Sequence, residues 1–111
     1  MEKFVKGDIV VIPFPFSNLQ GYKRRPSLVL ADWNSDDLVL CQITSQYIKD
    51  DFAVPFMPND IIGGTIEKES NIRPNKLFTT EKSIILYKIG TLKNDKMEIV
   101  LEKLSDLFGL K

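Results

Sequence analysis

The chain has 111 residues, which suits one domain, 1–111, able to take about 65% of its unfolded surface out of water, with little room for a second core. Fifteen Lys and Arg balance fifteen Asp and Glu, so no overall field draws the protein to nucleic acid or to an acidic membrane, and any such binding has to be local. Histidine is absent and Cys41 is the one cysteine; together these exclude imidazole chemistry, an internal disulfide and a cysteine zinc cluster, leaving Arg, Lys, carboxylates and hydroxyls.

In chain order, "GDIVVIPFPF" (7–16) starts at a Gly-Asp turn and continues as a β-branched run, which predicts a strand over Asp8 to Pro13. Pro13 and Pro15 cannot donate to a ladder, so the end of that strand is expected to be an edge or an exit. "SNLQGYKRR" (17–25) has the composition of an exposed loop. "PSLVLADW" (26–33) predicts a second strand, "NSDD" (34–37) a tight turn, and "LVLCQITS" (38–45) a third strand. Apolar character that runs almost unbroken through these segments implies burial on both faces, or closure of the sheet on itself. A fourth short strand is expected in "FAVPF" (52–56) and a turn or single helical turn in "NDIIGG" (59–64). Further strands are expected in "KLFTT" (76–80) and "IILYKIGTL" (84–92). The end reads as a helix capped by Asn94 and stopped by Gly109, with Met97, Val100 or Leu101, Leu104 and Leu107 or Phe108 on its apolar side. Cys41 lies among apolar neighbours and reads as a small buried hydrophobe. Trp33 reads as a plug at one end of the barrel.

Charge is uneven along this neutral chain. Residues 1–31 hold five cations and two acids, and residues 32–60 one cation and six acids. Lys23, Arg24 and Arg25 stand together, and Pro26 pushes Arg25 into extended backbone. A guanidinium fixed there can offer two parallel N–H groups to a phosphate; the plainer reading is a solubilising loop that guards a sheet edge. "ITSQ" places the hydroxyls of Thr44 and Ser45 and the amide of Gln46 where the third strand ends. Thr44 reads either as a phosphate contact or as an ordinary β residue. "SNIRPNKLFT" (70–79) repeats the cation-proline device with Arg73 and Pro74, and Asn75 and Lys76 follow as candidates for a base edge and a phosphate. Phe14 and Phe16, flanking Pro15, read as core or as faces on which a base stacks. The pairs Asp50 with Asp51 and Asp36 with Asp37, together with Asp32, read as solvated turns, since their spacing fits no metal-ligand pattern. No phosphate-binding loop, dinucleotide fingerprint or nucleophile elbow occurs. No secretory signal pattern and no apolar run near 18 residues is present, so a cytoplasmic protein is expected.

Taken in order, "GDIVVIPFPFSNLQGYKRRPSLVL", "QITSQ" and "SNIRPNKLFTTEKSII" with the terminal helix resemble the MazF/PemK toxin endoribonucleases of bacterial toxin-antitoxin modules. The resemblance implies a mainly β fold: a small SH3-like barrel of the CcdB/MazF/PemK type, mostly antiparallel, with a C-terminal amphipathic helix. It implies a cytoplasmic homodimer that needs no metal or cofactor and cuts single-stranded RNA, usually mRNA, at a short sequence. It also implies an antitoxin partner whose acidic tail covers the RNA groove, and DNA binding by the toxin-antitoxin complex. Arg25 and Thr44 match the family's catalytic pair, and Arg73 matches a second functional arginine of the PemK branch. The acid two places beyond that arginine is Asn75 here. With these, Phe14, Lys23, Arg24, Ser45, Gln46 and Lys76 make up the expected RNA surface. A CcdB-like toxin acting on gyrase through "LFGLK", and a non-catalytic RNA- or antitoxin-binding relative, are the competing readings.

Overall fold

The computed structural model describes residues 3–15 and 21–110. Phe16 and residues 17–20 of the expected loop lie outside them. Seven strands form one sheet: β1 (Asp8–Pro15), β2 (Tyr22–Ala31), β3 (Asp37–Thr44), β4 (Val54–Phe56), β5 (Ile61–Ile62), β6 (Ser70–Glu81) and β7 (Tyr87–Leu92). Their order is β4-β6-β3-β2-β1-β7-β5, and every ladder is antiparallel. The sheet curls into a half-barrel, and one helix, α1 (Asn94–Phe108), follows it.

Both faces of the sheet are buried, which accounts for the unbroken apolar runs. On one face Ile9, Leu28, Cys41, Ile43, Phe56 and Ile72 pack with Met97 and Val100 of α1. On the other, Phe4 joins Val10, Ile12, Val29, Leu38 and Leu40, with Phe14, Phe78 and Ile85 packed against them. Within β2 the alternation is plain: Leu28 and Leu30 serve the first cluster and Val29 the second. The β1–β7 ladder ends at Val11, while β1 pairs with β2 as far as Pro15, so the proline-bearing end of β1 is paired on one side, as the missing donors require.

Several expected boundaries move. β2 begins at Tyr22, so Lys23, Arg24 and Arg25 are strand residues, opposite Phe14, Pro13 and Ile12; ladder partners on β1 override a composition that reads as loop. β6 likewise begins at Ser70, taking in Arg73, Pro74, Asn75 and Lys76. β7 is shorter than expected because residues 82–84 form a 3-10 turn. Trp33 is 53% exposed and plugs nothing, since β2 stops at Ala31 and the chain turns outward. Asn94 is the first helical residue rather than the cap; Lys93 holds the cap position without a side-chain bond. Gly109 closes the helix as expected, at φ 68°.

Candidate active site

β2 and β3 pair with Ser27 opposite Gln42, and β3 and β6 with Gln42 opposite Arg73 and Thr44 opposite Asn71. Side chains two residues apart share a face, and so do those directly opposite each other. Arg25 therefore lies on the same face as Ser27, Gln42, Thr44 and Arg73. Continued by two residues, the Ser27–Gln42 register brings Arg25 level with Thr44. This is also the face of Val10, Ile12, Val29 and Leu40, so the polar row lies at one end of an apolar floor. Arg25 is half-buried, whereas Lys23 and Arg24 are exposed. Phe14 is half-buried and meets Phe78 edge to face, with ring centroids 5.3 Å apart.

Thr44 is half-buried at the last position of β3. Its Oγ1 accepts the Gln46 N–H at 3.2 Å, which fixes the oxygen and leaves the hydroxyl proton to donate. Ser45 and Gln46 are exposed beyond it. Two residues along β2 from Arg25, on the same face, Ser27 is fully buried and its Oγ has no partner.

Between Cys41–Leu77 and Gln42–Arg73 the β3–β6 register slips by three residues. Pro74, Asn75 and Lys76 fill the bulge, where a residue without an N–H costs no ladder bond. The bulge carries the Asn75 side chain to Asp50, 25 positions away: Asn75 Nδ2 donates to Asp50 Oδ2 at 3.0 Å. The same oxygen lies 3.4 Å from Arg73 Nη2, and Asp50 Oδ1 accepts the Phe52 N–H at 2.9 Å. The Phe52 N–H first, then Asn75, with Arg73 behind them, hold the Asp50 carboxyl below the usual carboxylate range. Asp50 is thus a member of the site that sequence reading places in a solvated turn. Nothing in the local sequence links it to Arg73, since the link is a long-range ladder and a bulge.

Two other acids are engaged elsewhere. Asp32 pairs with Lys82 at 3.0 Å, and Asp8 is buried under Thr91 Oγ1 at 2.8 Å. Among the described residues no three His, Cys, Asp or Glu side chains gather as a metal site would need. A cleft of about 400 Å³, lined by Pro26, Ser45, Thr65, Glu67, Ser70 and Tyr87 among others, lies on the other face of β2 and β3, since Pro26 and Ser45 alternate with Arg25 and Thr44.

The pattern described as PemK-like, MazF-like toxin of type II toxin-antitoxin systems matches residues 5–108. The chain belongs to this toxin family. Solved structures similar to this MazF/PemK toxin include an endoribonuclease in complex with its cognate antitoxin from a mycobacterial species, at TM-score 0.78 and 16% identity over 98% of each chain. A MazE-MazF structure from Deinococcus radiodurans gives TM-score 0.73 and 23% identity over 94% of each chain. The Mycobacterium tuberculosis toxin MazF-mt6 gives 0.70 and 17%, covering 92% of this chain and 98% of the other. No curated protein sequence matches this MazF/PemK toxin.

Proposed function

We propose that this chain is an endoribonuclease toxin that cleaves single-stranded RNA, with Arg25 and Thr44 acting on the scissile phosphate. The observation that carries the reading is the placement of a half-buried guanidinium and a half-buried hydroxyl on one face of neighbouring strands, in a chain of the MazF/PemK family. In the reaction the ribose 2′-oxygen bonds to the adjacent phosphorus as its proton leaves. The bond from phosphorus to the 5′-oxygen breaks, and that oxygen takes up a proton. The products carry a 2′,3′-cyclic phosphate and a 5′-OH. The nucleophile belongs to the substrate, so the protein has to place the phosphate and stabilise the added negative charge. Arg25 supplies paired donors and Thr44 a single one. Lys23 and Lys76, both exposed, hold the strand on either side, and Arg24, exposed on the other face of β2, adds positive charge from a distance. Gln46 and Asn75 lie where bases pass. The attack needs no metal-bound water in this reading, because the nucleophile is the 2′-oxygen of the substrate itself.

The toxin acts as a single-domain homodimer in the cytoplasm and is held by an antitoxin with an acidic tail. Among the described residues no helix is long and apolar enough to cross a membrane. Met97 and Val100 are spent on the barrel, but Leu101 is 36% and Phe108 58% exposed, an apolar remainder that suits a second copy. Light scattering at micromolar concentration is expected to give the mass of two chains.

The test is incubation of pure protein with a mixed RNA, with and without EDTA, followed by sequencing of the ends. Cleavage at a short motif with 5′-OH ends in both samples is the expected result. Intact RNA, 5′-phosphate ends, or cleavage abolished by EDTA would overturn the reading, and intact RNA with inhibited gyrase would put a CcdB-like action in its place.

A further inference from the structure

We propose that Asp50 is a positioning residue of the RNA site: its carboxylate sets the Arg73 guanidinium beside Thr44, and the two act on the substrate as one unit. This rests on the endoribonuclease reading and adds to it a residue from outside the strands.

Arg73 stands opposite Gln42, two residues along β6 from Asn71, the partner of Thr44. An arginine stem has many rotamers, and a donor fork serves a phosphate only when its direction is fixed. Among the described residues, the side-chain partner of Arg73 is Asp50, at 3.4 Å. Arg73 Nε is buried with no acceptor. A pair kept for stability alone would leave no buried donor unpaired, because such a donor loses its hydration without return. Asp50 is itself immobilised: the Phe52 N–H holds one carboxylate oxygen and Asn75 the other, and its side chain is 13% exposed against 22% for Arg73. The bulge over Pro74, Asn75 and Lys76 exists in the one stretch of β6 that brings Asn75 to this carboxylate. A fixed anion in a site for a polyanion opposes binding. Its retention follows if what it contributes is the direction of a cation rather than affinity.

That charge logic gives a signature that mere structural damage does not share. Asp50→Asn keeps the shape of the residue and its acceptor for the Phe52 N–H but removes a negative charge. RNA should then bind as well or better while turnover falls, so kcat drops about tenfold or more with KM unchanged or lower. The effect should pass through Arg73: Asp50→Asn in an Arg73→Ala background should cost nothing further. Asp50→Glu, which restores the charge, should recover part of the rate. Asn75→Ala, on an exposed bulge, should lower kcat about threefold by loosening the carboxylate and cost nothing further in kcat in an Arg73→Ala background, which provides the test should Asp50→Asn fail to fold. Rates are to be read on one oligonucleotide, with thermal melts of each variant. Unchanged kcat in Asp50→Asn, or losses that add fully in the double variant, would overturn the inference and leave the endoribonuclease reading intact. A wild-type protein that leaves RNA uncut would remove both.

Discussion

Arg25 faces Ile12 across the antiparallel ladder between β1 and β2. The cation therefore has a backbone anchored by a neighbouring strand and, beside it on the same face, an isoleucine that is 2% exposed. Its position is set by the sheet, and what remains to be chosen is the chemistry of its head group.

From this, Arg25→Lys should fail almost as badly as Arg25→Ala, because an ammonium keeps the charge but loses the fork. Loss of one such contact typically costs about 10²-fold in rate. Both variants should melt within about 1 kcal/mol of wild type, since the side chain is half-buried and the strand pairing survives. Arg24→Ala, exposed and three residues beyond the last β2–β3 pair, should weaken RNA binding modestly and chiefly at low salt. Cleavage rates on a single oligonucleotide decide the matter. Near wild-type cutting by Arg25→Lys would displace Arg25 from its role.

Thr44→Val keeps shape and removes the hydroxyl. The Gln46 N–H then loses its 3.2 Å acceptor, at a cost of about 1 kcal/mol in stability. The phosphate loses a donor, so the cleavage rate should fall about 10²-fold. Thr44→Ser should retain most of both. If Thr44→Val cuts RNA at the rate of Thr44→Ser, the hydroxyl takes no part in the reaction.

The hydroxyl of Ser27 is buried without a partner, on the same face as Arg25 and two residues along its strand. Ser27→Ala relieves an uncompensated polar group and should stabilise the protein by about 1 kcal/mol, read as a higher melting temperature. A lower melting temperature would mean that the hydroxyl is bonded in solution.

How far the sequence foretells this depends on whether a signal is local. The apolar runs, Pro13 and Pro15, and Gly109 each act within a few residues, and the strands, the exit of β1 and the end of the helix follow from them. Lys23, Arg24 and Arg25 have loop composition but strand structure, because their conformation is decided by Phe14, Pro13 and Ile12 on another segment. The same holds at Arg73, whose partner Asp50 is reached only after β3 and β6 have paired and slipped. The row of candidate residues was legible as residue types in order. The carboxylate that joins it was not, since no local pattern carries a contact made across 23 positions.

Burial pushes the Cys41 thiol up to about 12 from an ordinary 9.0. Its folded value lies above its unfolded one, so its contribution to stability is whole below pH 9 and is lost as pH rises from there towards 12. Cys41→Val should flatten that part of the stability profile relative to wild type. In the native protein the thiol should resist alkylation at pH 8, while the chain unfolded in guanidinium should react at once. Rapid labelling of native protein at a rate independent of denaturant would show that the barrel opens at Cys41.

The β1–β7 ladder stops at Val11 while β1 itself runs on to Pro15, which leaves a length of strand edge open. An open edge is a template on which further chains stack, and a sheet buried on both faces offers newcomers a strongly apolar surface to join. Pro13 and Pro15 leave that length short of donors, so an incoming strand finds too few bonds to stay. Two residues that weaken β1 as a strand thereby keep the protein from polymerising through it.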